Sequence, residues 1–297
     1  MLIVLEGVDG AGKSTLADRL IHALGDEHLR LHQGPLKGDP LKEYEWELGR
    51  MYSPSSGIHI VADRWHVGEL VYGPLYRGVS KLTPAMTRHV ELYLDKLGAY
   101  KVVVSENIHV INKRLKSRGE DFLQDHHVGL VWDFYNEWAE SEGWATTTSD
   151  AVTQNILRPA LRKQTEAEDL EVFKSYVGSA HPKHLILTDA DETTGYGRPF
   201  FNAAMVPYPD TSGHFLLTAL EEAKVRDYGI ACATAEDVPF LWHTLGRPNV
   251  VALGSIAAKI ARAIPHHTIS HPREFMRNSR ATTRRRYGLD IKEMLRA

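Results

Sequence analysis

The chain has 297 residues, with 35 Lys and Arg against 38 Asp and Glu and a formal net charge of −3. Hydrophobic residues at 43% and charged residues at 25% fit a soluble globular protein with room for two domains or one large one. No apolar run approaches the roughly 20 residues that span a bilayer, and the single cysteine, Cys232, excludes an internal disulfide framework or a cysteine-based zinc site.

In chain order, Leu2, Ile3, Val4 and Leu5 read as a buried strand that follows Met1 directly, with no signal-peptide pattern. A reducing, cytoplasmic setting is therefore expected. Gly7 to Gly12 is a Gly-rich turn, and Lys13, Ser14 and Thr15 open an amphipathic helix carrying Leu16, Leu20, Ile21 and Leu24. Residues 7–14 fit G-x-x-x-x-G-K-[ST], the phosphate-binding loop or P-loop. Its glycines let successive backbone N–H groups curl round a polyphosphate, and the helix turns its positive end to the anion. Lys13 reaches the outer phosphates, and the Ser14 hydroxyl is of the type that ligates Mg²⁺. Binding of a nucleoside triphosphate by Gly7, Asp9, Gly10, Ala11, Gly12, Lys13, Ser14 and Thr15 is expected.

Leu29, Leu31 and His32 predict a short second strand, after which Gly34, Pro35, Gly38 and Pro40 break the chain. Leu41 to Met51 reads as a helix ended by Pro54 and Gly57. Ile58, Ile60, Val61 and Ala62 predict a buried strand that delivers Asp63 and Arg64 to its C-terminal end, where open α/β sheets gather ligands. A helix from Pro84 to Leu97, a strand from Lys101 to Val104 and a mostly helical stretch from Val110 to Trp138, interrupted near Gly119, follow. Trp144 to Thr148 supplies a strand and Val152 to Leu161 a helix. Alternating strands and helices predict a parallel sheet with helices on both faces.

Arg162 to Lys174 is charged and connector-like, and Tyr176 to Lys183 is loop-like. A second α/β pattern then starts: strand His184 to Thr188, a turn-rich stretch over 195–213, helix Leu216 to Ala223, strand Ile230 to Ala233 and helix Val238 to Leu245. Strand Val250 to Leu253 ends at Gly254, and helix Ser255 to Ala263 and strand His267 to Ser270 close the series. The expected division is 1–162, a linker at 163–178, and a smaller domain at 179–297. Charge divides too: residues 1–178 hold 20 Lys and Arg against 26 Asp and Glu, and the remainder 15 against 12. An acidic first half repels an extended phosphate backbone and favours a small substrate.

EGVDGAGKST (Glu6 to Thr15) and the Asp63-Arg64-Trp65 triplet resemble the thymidylate kinases, within the deoxynucleoside and deoxynucleoside monophosphate kinases. The resemblance implies that Asp9 contacts the acceptor sugar, Arg64 holds the acceptor phosphate, and Asp63 belongs to the catalytic and magnesium surroundings. Arg114 and Arg118, in RLKSRGEDF, sit where these kinases carry a mobile lid; the same i, i+4 spacing also describes a solvated helix face. The implied catalytic set is Lys13, Asp9, Asp63, Arg64, Arg114 and Arg118, with ATP and Mg²⁺, the metal at Ser14 and Asp63. Where these kinases usually carry Tyr-Gln, this chain has Tyr72-Gly73, and His32-Gln33-Gly34-Pro35 replaces the customary Arg-Glu-Pro. Phosphate handling is kept while base reading differs, which points to a different or modified pyrimidine nucleotide. Glu69, Tyr72, Tyr76 and Arg77 are acceptor-pocket candidates. By the same resemblance a homodimer is expected.

In the second half, HLILTDADETT, SGHFLLTAL, VVALGSIA and the late His-Pro of HTISHPREF resemble the uracil-DNA glycosylase superfamily. This implies the positions of catalytic carboxylates for Asp189 and Asp191 and a contact with a flipped base or sugar for His271. The usual Gly-Glu-Ala-Pro-Gly character of the first loop is absent, so a nucleotide- or DNA-binding descendant is expected rather than a glycosylase. Arg273, Arg277, Arg280, Arg284, Arg285 and Arg286 fit phosphate binding, a solvated helix or a subunit contact.

The leading expectation is an ATP- and Mg²⁺-dependent kinase that converts a deoxynucleoside monophosphate to the diphosphate, of a kind suited to a bacteriophage nucleotide or DNA-modification pathway. A second keeps the kinase and moves the acceptor to a hydroxymethylpyrimidine base in DNA, presented by the C-terminal domain. A third is a nucleotide-regulated DNA-binding protein.

Overall fold

The computed structural model describes the chain except residues 26–27, 120–124, 174–175, 189–211, 233–236, 277–280 and 297; at 46, 47, 125, 126, 237, 273 and 276 it describes the backbone alone. The chain is an α/β protein of two compact units, residues 1–82 with 97–165 and residues 83–96 with 166–297.

The first unit holds β1 (Leu2–Glu6), α1 (Lys13–Leu24), β2 (His28–His32), a π-helical turn Lys42–Trp46 leading into α2 (Glu47–Met51), β3 (His59–Asp63) and α3 (His66–Arg77). After the excursion of α4 (Pro84–Lys96) into the second unit, it resumes with β4 (Tyr100–Val104), α5 (Ile108–Arg118), α6 (Asp125–Glu142), β5 (Ala145–Thr147) and α7 (Gln154–Glu168), whose last residues fall to the second unit. The sheet order is β2-β3-β1-β4-β5, every pairing parallel. Central β1 is buried along its whole length, which is why Leu2 to Leu5 are apolar without alternation; the buried Glu6 that ends it is the exception.

The second unit adds β6 (Tyr176–Val177), β7 (His184–Thr188), α8 (Ser212–Glu222), β8 (Tyr228–Cys232), α9 (Asp237–Thr244), β9 (Asn249–Leu253), α10 (Gly254–Ile260), β10 (His267–Ile269), α11 (Arg273–Met276) and α12 (Ala281–Met294). Its order is β10-β9-β7-β8-β6, with β6 antiparallel to β8 and the other pairings parallel. Ala85 and Leu92 of α4 join Phe215, Leu216, Leu220, Tyr228, Tyr287 and Ile291 in one of its core clusters.

Three expectations differ from this architecture. Tyr176 and Val177, read as loop, form the antiparallel edge strand β6. The stretch read as a linker holds the end of α7 and all of β6. The helix at 84–96, read as part of the first domain, contributes its apolar residues to the second unit.

Candidate active site

Strands β1, β3 and β4 run parallel, so their C-terminal ends and the loops beyond share one edge of the first sheet. β1 runs into the phosphate loop. Gly7 has φ 138°, and a Cβ there would lie 2.5 Å from Val104 O; Gly12 has φ 93°, and a Cβ there would lie 2.5 Å from Ser149 Cβ. Only glycine can pass these points without displacing the neighbouring chain. Gly12 caps α1 with no side-chain hydrogen bond, leaving the first-turn N–H groups to an anion. Lys13 is 5% exposed and folds over the loop, its Nζ donating to Gly7 O at 2.7 Å and Val8 O at 3.0 Å, 3.7 Å from Asp9. Burial lowers its pKa; the carboxylates of Asp9, Glu6 and Asp63 pull the other way, and Arg64 adds to the lowering.

Asp63 ends β3 and is 1% exposed. Its Oδ2 accepts from Ser14 Oγ at 2.7 Å and Arg30 Nη2 at 2.8 Å, with His32 Nδ1 at 3.8 Å. Arg30 and His32 lie two residues apart on β2 and so share a face. Burial would raise the Asp63 pKa, but the bonds from Ser14 and Arg30 and the charge of Lys13 outweigh it and hold the carboxyl below its ordinary value. Asp63 Oδ1 is buried and has no hydrogen-bond partner among the described residues. An ionised carboxylate with an unused oxygen, beside the Ser14 hydroxyl, suits a hard divalent cation. Among the described residues no three or more His, Cys, Asp or Glu gather as a metal cage. One carboxylate and one hydroxyl could hold such a cation only together with the oxygens of a phosphate ligand, as Mg²⁺ is commonly held.

Beyond Asp63 the chain turns sharply. Arg64 has φ 74°, its N–H donates to Leu5 O at 2.9 Å, and its guanidinium pairs with Asp9. Burial would lower the Arg64 pKa, yet the Asp9 carboxylate in particular keeps it raised. Asp9 N–H donates to Tyr72 OH at 3.4 Å, and the Tyr72 ring lies nearly parallel to that of Tyr76, 11° apart with centroids 6.2 Å apart. Glu69 and Arg77 pair with each other across Gly73, where a Cβ would lie 2.7 Å from Glu69 Oε1 and 2.9 Å from Arg77 Nη2. Gly73 thus gives passage to an ion pair, and Glu69 Oε1 also accepts from Lys81 N–H at 2.8 Å.

A cleft of about 290 Å³ is lined by Asp9, Gly10, Gly12, Lys13, Ser14, Thr15, Arg64 and Arg118. Arg114 is held against the back of the loop, its Nη1 donating to Gly10 O at 3.2 Å and its Nη2 to Ser149 Oγ at 3.4 Å, 3.7 Å from Glu106. Ala11 is buried inside the loop. Glu69 and Arg77, which the sequence reading offered to the acceptor pocket, and Arg114, which it offered as a lid arginine, are thus engaged with protein partners. Sequence reasoning missed Glu6, Arg30, Glu106 and Ser149. A lone carboxylate closing an apolar strand was the available signal for Glu6.

In the second unit, His271 lies beside the start of α10, where a Cβ on Gly254 would stand 3.1 Å from His271 Cβ. Asp189, Asp191, Arg277 and Arg280 lie outside the described residues, and Arg273 is described by its backbone alone. Arg284 pairs with Glu222, whereas Arg285 and Arg286 are exposed on α12.

No model of a known family matches the chain. Its N-terminal half is similar to the SPbeta prophage-derived uncharacterized protein YorR of Bacillus subtilis (strain 168), with 27% identity over 174 residues, 52% of this chain and 96% of YorR. The crystal structure of YorR in complex with phosphorylated GDP is 24% identical, covers 53% of this chain and 94% of YorR, and has a TM-score of 0.41. A deoxyadenosine kinase from M. mycoides with bound dATP is 14% identical over 56% of this chain and 100% of its own, TM-score 0.33. A gluconokinase from Sinorhizobium meliloti 1021 is 16% identical over 59% and 97%, TM-score 0.34. No described helix is long and apolar enough to cross a membrane.

Proposed function

We propose that the chain is a phosphotransferase that passes the γ-phosphoryl group of ATP to a pyrimidine deoxynucleoside monophosphate, modified bases included, giving the diphosphate. The observation that carries the reading is the shared cleft: the phosphate loop, Asp9, Arg64 and Arg118 line one cavity. A loop that only bound and released a nucleotide would need no second set of polar groups facing it. YorR, the similar prophage protein, was crystallised with phosphorylated GDP, which supports a nucleotide site here and fits a bacteriophage setting.

Phosphoryl transfer asks a protein for positioning and charge neutralisation more than for covalent chemistry. Lys13 exchanges its two loop carbonyls for outer phosphate oxygens, and the first turn of α1 offers its N–H groups. Arg64 holds the acceptor phosphate, Asp9 orients both Arg64 and the acceptor sugar, and Arg118 covers the cleft and helps exclude water. Ser14 and Asp63 would hold Mg²⁺, which when bound neutralises charge on the phosphates.

A second reading keeps this chemistry and places the acceptor, a hydroxymethylpyrimidine base, in DNA. The exposed Arg285 and Arg286 of α12 favour it, with the second unit acting as a uracil-DNA glycosylase-like module that presents the base. One assay separates the readings: transfer from labelled ATP with Mg²⁺ to a panel of deoxynucleoside monophosphates and to duplex DNA with and without hydroxymethyluracil. Label on a free monophosphate is the expected result, label on DNA alone favours the second reading, and ATP hydrolysis with no acceptor labelled overturns both.

A further inference from the structure

Glu6 stands outside every role assigned above. It is the last residue of β1, directly before the phosphate loop, and it is fully buried. A buried carboxylate needs a reason, because desolvation penalises it unless its oxygens are satisfied. Its Oε1 accepts from Trp65 N–H at 2.8 Å and Gly68 N–H at 3.1 Å, and its Oε2 accepts from Tyr135 OH at 3.3 Å. Burial raises its pKa, while His66, the two N–H donors and Lys13 pull it down.

These partners lie at one place. Trp65 is the cap of α3, and α3 has no side-chain cap of its own residue, so Glu6 reaches across from β1 to satisfy the helix start. The residue before Trp65 is Arg64, in the left-handed region at φ 74° and without the freedom of a glycine. Leu5 O takes the Arg64 N–H and Glu6 Oε1 takes the next N–H along. The end of β1 therefore grips the turn on both sides of the guanidinium-bearing residue, and the same strand end leads to Asp9, the partner of that guanidinium. Strain of this kind persists only where the surroundings hold it in place.

We infer that Glu6 is a positioning residue for the acceptor side of the cleft: it holds the Asp63-Arg64-Trp65 turn so that Arg64 meets Asp9 and the incoming acceptor phosphate. It touches neither substrate. The inference rests on the kinase reading for its kinetic consequence and on geometry alone for its effect on Arg64.

The test uses Glu6→Ala, Glu6→Asp and Glu6→Gln in the full-length protein. Glu6→Asp keeps the charge but withdraws the oxygens by about one methylene, whereas Glu6→Gln keeps an acceptor oxygen at full reach. Three quantities are read: affinity for a fluorescent ATP analogue without acceptor, KM and kcat for the best monophosphate among dTMP, dUMP, dCMP and hydroxymethyl-dUMP, and the rate at which phenylglyoxal labels Arg64, located by mass spectrometry. For Glu6→Ala and Glu6→Asp we expect ATP affinity within twofold of wild type, acceptor KM raised at least tenfold, and Arg64 labelled at least fivefold faster. Glu6→Gln should stay within threefold on all three. Should Glu6→Ala fail to fold, Glu6→Asp against Glu6→Gln decides. Unchanged Arg64 labelling in Glu6→Asp overturns the inference, as does a parallel loss of ATP and acceptor binding, which marks a merely structural carboxylate. If the wild type phosphorylates no monophosphate, the kinase reading falls, and the Arg64 labelling still reports on Glu6.

Discussion

At the scale of single residues, Lys13 shows how function and stability pull apart. Its ammonium is buried among the loop carbonyls with a pKa below the ordinary 10.5, burial being the largest cause. A lysine whose folded pKa is depressed costs the folded state free energy; the cost is complete below the folded pKa and fades as pH rises towards the unfolded value. Lys13→Met removes both the cost and the charge that, on the proposed kinase reading, meets phosphate. Transfer should fall by about 10² to 10³, as when other preorganised transition-state donors are removed. Urea midpoints should place the variant most favourably against wild type at pH 7 and less so at pH 10. A gap between the two proteins that stays constant with pH would contradict the reading. Lys13, Ser14, Asp63 and Arg64 were legible because each belongs to a short motif at a strand end. Glu6 was not, since its partners Trp65 and Gly68 lie 59 and 62 residues away and nothing local announces them.

Elements are legible where their own pattern decides them and illegible where partners do. The buried strands β1, β3, β4, β7 and β9 announce themselves as apolar runs, and Gly119 closes α5 as read, with φ 64°. β6 has two residues, too few to show a period, and its antiparallel pairing is fixed by β8 more than fifty residues on. In α4, eleven of thirteen residues are buried, among them Arg88, His89 and Glu91. A helix buried nearly all round shows no stripe to say which core it serves. Close approach is equally silent in sequence: Gly288 in α12 lies where a Cβ would be 2.0 Å from Ala219 O and 3.0 Å from Ala223 Cβ of the α8 region. The obstacle is backbone, so one of the two helices must move. Gly288→Ala gains up to about 1 kcal/mol of helix propensity. That gain should be exceeded by an overpacking cost of about 1–3 kcal/mol, or more where backbone shifts. A net loss is expected, read as a lower urea midpoint, whereas Gly25→Ala offers the control of a glycine with nothing within 4 Å although its φ of 81° carries its own strain.

On the scale of the whole molecule, the chain leaves the first unit at residue 83, supplies α4 to the second and returns at residue 97. Composition and charge could suggest a division near 162–179 because those signals are averaged along the chain. A short excursion leaves such averages unchanged, so the real partition stayed hidden. The consequence is testable by cutting where the sequence suggests. A fragment of residues 1–162 carries α4 without Phe215, Leu216, Leu220, Tyr228 and Ile291, the residues that share a core cluster with Ala85 and Leu92. Residues 179–297 alone lack α4, Phe173 and the edge strand β6, which pairs through Tyr176 and Val177 with Ala231 and Ile230. Each fragment therefore exposes apolar surface that the intact chain buries, and exposed surface of that kind promotes association. We expect both to bind a hydrophobic dye and to elute as aggregates. A monomeric 1–162 fragment that melts cooperatively and binds ATP as tightly as the full chain would show that the first unit folds without the residues that cover Ala85 and Leu92, and would overturn this expectation. The same fragment failing while the full chain folds would follow from a helix that belongs, by its packing, to residues translated long after it.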